Sequence, residues 1–192
     1  MKNKKIEIPV EVSARHCHLS KEDSEKLFGK DYELKKLKQL YQPGDFAAEE
    51  TVDLKFDDKK IERLRVVGPF REKTQVEVSK TDAISLGANP PVRLSGNLGG
   101  SERLTLVSPK GEVELKEGLI IAKRHLHCAT EEIKDLGLKN GDIISVKIES
   151  ERSVTFYDVE VRVGDNYKLC LHLDTDEGNA SGINKKGVGT IL

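Results

Sequence analysis

A chain of 192 residues can bury a real core and has room for one large domain or two small ones. Lys and Arg number 32 against 33 Asp and Glu, a net charge of -1, so no overall basic field argues for nucleic acid or an anionic membrane, and a partner has to be recognised at a local site. Aromatics are only 5% against 34% charged residues, which fits a water-soluble protein with a lean aliphatic core, and no apolar run approaches the roughly 20 residues of a membrane-crossing helix.

The chain starts with basic Met1-Lys2-Asn3-Lys4-Lys5, but Ile6-Glu7-Ile8-Pro9-Val10-Glu11-Val12 then alternates like a strand and is not the apolar centre of a signal peptide. Cytoplasmic residence is therefore expected. Next comes the tetrad Arg15-His16-Cys17-His18, then Ser20 as a cap for a short helix ending at Gly29, with Glu22 and Asp23 in its first turn. Short strands are expected at 64–67, 75–78, 92–94, 104–107, 143–148, 159–163 and 169–173, separated by Gly, Pro and Asn-Gly breaks. Further short helices are expected from Thr81 to Gly87 and from Thr130 to Gly137. Many short strands with turns between them indicate a mainly β fold built from small barrels.

A second tetrad, Arg124-His125-Leu126-His127, matches the first, and the two together hold four of the five histidines. Alternate residues of a strand share a face, so each H-x-H pair presents two imidazoles together, as a metal half-site does. Cys17 falls on the opposite face and reads as a small core residue, and Cys17, Cys128 and Cys170 offer no C-x-x-C pair or disulfide framework. Aligning Leu86-Gly87 with Leu136-Gly137 exposes a strand–helix repeat at 16–29, 75–87 and 125–137, which places Gln75 and Glu77 on His125 and His127 and makes Glu77 a candidate ligand. His172 lies opposite Leu169, Leu171 and Leu173 on its strand, so it is exposed or lines a site, and Asp174–Asn179 reads as an acidic turn.

The inventory is then His16, His18, Glu77, His125, His127 and His172, enough for two three-ligand sets that each keep an open position, as catalytic zinc sites do. Two divalent ions with one carboxylate leave about three positive charges, which calls for a strongly anionic ligand. Arg71, just after Gly68-Pro69-Phe70, is a candidate clamp because its planar fork matches phosphate oxygens.

Val12-Ser13-Ala14-Arg15-His16-Cys17-His18-Leu19-Ser20, Gly68-Pro69-Phe70-Arg71 with Thr74-Gln75-Val76-Glu77-Val78, Arg93-Leu94-Ser95-Gly96, Ile120 to His127, and His172-Leu173-Asp174-Thr175-Asp176-Glu177-Gly178-Asn179-Ala180 together resemble the PduL-type phosphate acyltransferases, the phosphotransacylases. The resemblance implies interconversion of a short-chain acyl-CoA, acetyl- or propanoyl-CoA, plus phosphate with acyl phosphate plus CoA at a two-zinc centre. It implies one zinc on His16, His18 and Glu77, another on His125, His127 and His172, phosphate on Arg71, and CoA contacts at Ser13 and Asn179. It also implies two small β-barrels capped by short helices, with residues 1–14 joining 124–192 in one and 15–123 forming the other. Ala129 stands where the first copy has Ser20, which leaves Thr130 as the expected cap of the following helix. Members that enter bacterial microcompartments carry an N-terminal extension, and here the first motif begins about a dozen residues in, so a free cytoplasmic enzyme is expected; a homodimer is the base-rate expectation.

Two rival readings remain. His16, His18, Glu22 and Gly29 with a distant His172 fit a cupin-like mononuclear metal enzyme, and a non-catalytic binding module with structural zinc would need its metal to fold.

Overall fold

The structure, a computed structural model, describes residues 5–192, so the basic start at Met1–Lys4 lies outside the described residues. The chain opens with strand β1 (Ile6–Val12) and continues through β2 (His16–His18), helix α1 (Lys21–Phe28), β3 (Lys36–Gln39), β4 (Phe46–Phe56), β5 (Lys59–Gly68) and β6 (Gln75–Val78). After α2 (Lys80–Leu86) come β7 (Val92–Arg93), β8 (Glu102–Val107), β9 (Glu112–Ala122), β10 (His125–Cys128), α3 (Glu132–Leu136), β11 (Ile143–Ile148), β12 (Val154–Val163), β13 (Cys170–Leu173), α4 (Thr175–Ala180) and β14 (Lys186–Ile191). Among the described residues no helix is long and apolar enough to cross a membrane.

The chain divides into two units: Arg15–Ala122 forms a continuous unit, and the N-terminal stretch to Ala14 joins Lys123–Leu192 in a split one. Each closes a six-strand barrel. In the continuous unit the ring runs β4-β5-β2-β6-β9-β8 and back to β4, with β3 and β7 added on β4 and β9. In the split unit it runs β11-β12-β10-β13-β1-β14 and back to β11. The strand senses match step for step: β5–β2 and β12–β10 are parallel, β2–β6 and β10–β13 antiparallel, β6–β9 and β13–β1 parallel. Thus β1 occupies in the split barrel the place β9 occupies in the continuous one. Closure leaves no open edge in either ring, which is the common way for a small mainly β unit to avoid exposing unpaired backbone.

Alternation then sorts the side chains. Cys17, Leu19, Val76, Val78, Leu119 and Ile121 enter the core of the continuous barrel, and Val10, Leu126, Cys128, Leu171 and Leu173 that of the split barrel. The histidines, one residue out of phase with these, take the other face. Cys17 is fully buried in the core, as its position in the strand requires.

Several elements depart from the sequence expectations. The strands β4 and β9 were not anticipated: β4 carries Ala47, Ala48, Glu49 and Glu50, poor strand formers, and β9 contains Gly118 at φ 145, yet long-range pairing on both sides keeps each in its sheet, with register shifts between Ala47 and Thr51 and between Glu102 and Leu104. Asp174–Asn179 is no bare turn but part of α4, because the Asp174 side chain accepts from the Glu177 N–H while the Glu177 carboxylate accepts from the Asp174 N–H, a reciprocal capping box. Thr130 does not cap α3; its hydroxyl donates to Asp165 at 2.6 Å, and Glu131 stands at the N-cap without a side-chain bond.

The repeat is also larger than the sequence alignment suggested. A strand followed by a short helix occurs four times, β2–α1, β6–α2, β10–α3 and β13–α4. By pairing partner and sense, β2 corresponds to β10 and β6 to β13, so the counterpart of Glu77 is His172, not His127.

In α4, Gly178 lies against β1: a Cβ there would sit 2.6 Å from Val12 Cγ2 and 3.0 Å from the Ile183 carbonyl oxygen. Gly178→Ala is expected to destabilise the protein by about 1–3 kcal/mol through overpacking. Urea unfolding checks this, and an unchanged midpoint would mean that α4 does not seat on β1 in this way.

Candidate metal-ligand sets

In the continuous unit the antiparallel register sets His16 opposite Glu77 and His18 opposite Gln75. All four side chains leave the sheet on one face. One ligand atom from each of His16, His18 and Glu77 lies within 4.8 Å of the others, His16 Nε2 being 3.8 Å from Glu77 Oε2. His18 is 4% exposed and Glu77 8% exposed, well inside the range where a polar group needs partners. His18 Nδ1 is 3.0 Å from the Val67 carbonyl oxygen. A carbonyl can only accept, so Nδ1 carries the hydrogen and the lone pair sits on Nε2, the arrangement a metal ligand requires. Burial pushes the His18 pKa down to about 3, helped by the charge of His16 and Arg71 and opposed by Glu77. The ring is therefore neutral at physiological pH.

Glu77 has its own support. Gln75 Nε2 donates to Glu77 Oε1 at 2.7 Å and to the Ser95 hydroxyl at 2.6 Å, and Gln75 Oε1 accepts from the Gly96 N–H at 2.9 Å. The Gly96 donor fixes which way the amide faces. The Ser95-Gly96 turn thus holds Gln75, and Gln75 holds one oxygen of Glu77 while the other faces His16.

Arg71 follows the cis Gly68–Pro69 bond, and its N–H donates to the Leu19 carbonyl at 2.9 Å, which ties it to the end of the histidine strand. Its Nη2 is 3.5 Å from Asp45 Oδ1. Burial raises the Asp45 pKa, Arg71 and His16 lower it, and Glu77 raises it. Asp45 was missed in the sequence because it lies in the loop after Pro43-Gly44 with no motif around it, and only the fold brings it beside Arg71. Glu22, the rival carboxylate, instead pairs with Lys26 at 2.7 Å on α1 with its side chain 79% exposed, which leaves the cupin-like set without its acid.

In the split unit His125 stands opposite His172 and His127 opposite Cys170. The three rings cluster, with centroids 4.6 Å apart for His125 and His127, 5.2 Å for His125 and His172, and 4.9 Å for His127 and His172. His125 Nδ1 donates to the Lys123 carbonyl at 2.8 Å, which again puts the lone pair on Nε2, and His127 stacks on Tyr167 at 3.9 Å. The ligand atoms that lie within 4.8 Å of one another here, however, belong to Glu11, Cys170 and His172. Neither Glu11 nor Cys170 stands out as a ligand in the sequence: alternation puts Cys170 on the face of His172, and only the parallel pairing of β1 with β13 brings Glu11 there.

The arginine of each tetrad acts in the same way in both units. Arg15 Nη1 donates to Asp82 at 2.8 Å, and Arg124 Nη1 to Glu177 at 2.5 Å. Each acid is the third helical residue of the capping box that follows the third-ligand strand. The arginines thus anchor α2 and α4, not a ligand. A second parallel concerns the turn after each histidine pair. Thr74 donates to Asp23 at 2.6 Å and accepts from the Ser20 N–H at 2.9 Å, whereas Glu132 alone accepts from the N–H groups of Ala129 and Leu169 at 3.0 and 3.1 Å. Ala129 stands where Ser20 does, so the longer Glu132 reaches the N–H that the Thr74 hydroxyl serves in the other unit. Ser13 and Asn179 both fall in the split unit, Ser13 half-buried with its N–H bonded to Leu173, Asn179 exposed on α4.

Comparison with known proteins gives a consistent answer. Residues 9–184 match the family described as phosphate propanoyltransferase. Curated relatives of that name include one from Lachnoclostridium phytofermentans, 49% identical across 96% of this chain and 87% of its own. Another, from Thermotoga maritima, is 48% identical across 92% and 85%, and one from Salmonella typhimurium is 44% identical across 91% and 83%.

Two outcomes follow from the continuous unit. A His18 ring that stays neutral in the fold takes up a proton near pH 6.5 once unfolded, so its contribution to stability is whole above pH 6.5 and is lost as pH falls toward 3. Chelator-treated protein is expected to show a urea midpoint that declines over that window; a flat midpoint down to pH 4 would contradict a buried neutral His18. Gln75→Leu keeps the bulk and removes the bond to Glu77, and if His16, His18 and Glu77 hold a divalent metal, its affinity measured against a competing chelator is expected to fall about 10- to 100-fold.

Proposed function

The chain belongs to the phosphate propanoyltransferase family and is an acyltransferase, and on that premise we propose that it interconverts acetyl- or propanoyl-CoA plus phosphate with the acyl phosphate plus CoA, using one zinc ion in each unit. The observation that carries this reading is the doubled H-x-H strand, paired each time with a strand that sets a further potential donor opposite the first histidine, Glu77 in one unit and His172 in the other. His16, His18 and Glu77 would hold one ion and His125, His127 and His172 the other. The donor chemistry fits zinc: buried imidazoles whose Nδ1 hydrogens are engaged at His18 and His125, and a carboxylate held by an amide. When bound, zinc supplies Lewis acidity toward anionic oxygen and makes a coordinated thiol a better leaving group.

The side chains divide the remaining work. Arg71 grips phosphate through two parallel N–H donors, exchanging its ion pair with Asp45 for the incoming anion. Phosphate is already an anion near neutral pH, so it attacks the thioester carbonyl without a separate base. The new bond joins a phosphate oxygen to the acyl carbon, the carbon–sulfur bond breaks, and CoA departs as thiolate. Cys17, Cys128 and Cys170 are buried free thiols whose pKa values burial pushes up, which supports direct transfer over an acyl-cysteine intermediate. Ser13 and Asn179 are assigned to CoA contacts. Cytoplasmic residence accords with three cysteines that form no disulfide, and a homodimer is the state we assign for light scattering to test.

Zinc-loaded protein is expected to release free thiol from acetyl-CoA and propanoyl-CoA only when phosphate is present; a sample carrying two metals per chain that releases none would defeat the reading. Arg71→Ala is expected to lower kcat/KM for phosphate about 10- to 100-fold with zinc content unchanged, the scale of one charged hydrogen-bonding group. Loss of zinc in that variant would remove Arg71 from the phosphate role. Each barrel has an aliphatic core of its own, so chelation is expected to abolish activity while far-ultraviolet circular dichroism is retained. Unfolding on chelation would favour a structural zinc module instead.

A further inference from the structure

The two barrels correspond strand for strand, and that correspondence singles out one difference beside the third ligand. In the continuous barrel Glu77 is flanked on its own strand by Gln75 and across the parallel pair by Ile120, an amide that positions and an aliphatic that cannot ligate. In the split barrel the same two places hold Cys170 and Glu11. Both are donors. One ligand atom each from Glu11, Cys170 and His172 lies within 4.8 Å of the others, Glu11 and His172 being direct partners across the parallel strands and Cys170 sharing their face.

We propose that Glu11, Cys170 and His172 form a mixed oxygen–sulfur–nitrogen site for a thiophilic divalent metal, sharing His172 with the three-histidine set. It rests on the reading of His172 as a metal ligand, not on the acyl-transfer reaction. Thiolate and imidazole together select zinc, cobalt or cadmium over magnesium, calcium or manganese. Charge favours the arrangement too. A divalent ion with one thiolate, one carboxylate and a neutral imidazole is neutral as a whole, whereas the same ion on three imidazoles keeps its full charge. Cys170 is completely buried, and burial disfavours net charge. Binding exchanges the Cys170 thiol proton for the metal: the sulfur–hydrogen bond breaks, the sulfur–metal bond forms, and the proton passes to water. His172 contributes a single ring nitrogen, so an ion held by Cys170 takes that ligand from an ion on His125 and His127.

Cobalt(II) reports this directly. Chelator-treated full-length protein reloaded with Co2+ is expected to show a near-ultraviolet thiolate-to-cobalt charge-transfer band, retained in Cys17→Ser and Cys128→Ser and absent in Cys170→Ser. Glu11→Gln is expected to weaken Co2+ binding at this site about 10-fold or more. Co2+ bound without a sulfur band, or a band that survives Cys170→Ser, overturns the proposal while leaving the three-histidine ligand set of the acyltransferase intact. Should Cys170→Ser fail to fold, X-ray absorption of the zinc-loaded unmodified protein decides: a sulfur scatterer near about 2.3 Å supports the site, and a shell of nitrogen and oxygen alone at about 2.0–2.1 Å overturns it.

Discussion

Both candidate ligand sets depend on one constraint, the antiparallel register between a histidine strand and the strand that carries the third candidate donor. A strand can place only every second residue on a given face, so His16 and His18, or His125 and His127, are presented together or not at all. Pairing His16 with Glu77 and His125 with His172 adds the third donor on the same face. A slip of one residue would bring Val76 or Leu171 to that face and send the ligands into the core. The aliphatic residues between the ligands prevent this, because Cys17, Val76, Leu126 and Leu171 are fully buried and exposing them would cost each its hydrophobic transfer energy. Core packing and ligand placement are therefore two consequences of one alternation.

Closing the sheets makes the register permanent. In each barrel the third-ligand strand has the histidine strand on one side and a parallel strand on the other, β9 or β1, so it has no free edge along which to slide. The short helices lock the ends. Capping boxes start α2 and α4, and Arg15 and Arg124, reaching from just before each histidine pair, bond the acids of those boxes. The arginine beside a histidine pair thus fastens the histidine strand to the helix that follows the third ligand. This accounts physically for its recurrence in both tetrads.

The support around the ligands differs between the units and sets their chemistry apart. Gln75, held by Ser95 and Gly96, fixes the Glu77 carboxylate, and a buried neutral His18 keeps its lone pair outward from Val67. Arg71 lies near enough to act on the His18 charge state and is held by Asp45. One unit thus sets a candidate cation site beside Arg71, the proposed anion clamp. The other has Cys170 in place of the positioning amide and Glu11 in place of Ile120, which makes its donor field softer.

The alternation, the doubled H-x-H, the β class and several strand positions, including Gln75–Val78 and Ile143–Ile148, were legible in the sequence because they depend on local period and turn residues. The candidate ligands His16, His18, Glu77, His125, His127 and His172 were legible for the same reason, together with the family resemblance. What the sequence could not supply was which strand lies beside which. Aligning residues on Leu-Gly signals paired Glu77 with His127, whereas strand sense and register pair it with His172. Asp45 beside Arg71, Glu11 beside Cys170, and the arginine–helix bonds likewise join residues far apart in the chain. Local physics decides which face a side chain takes, and only the closed ring of long-range pairings decides what meets it there.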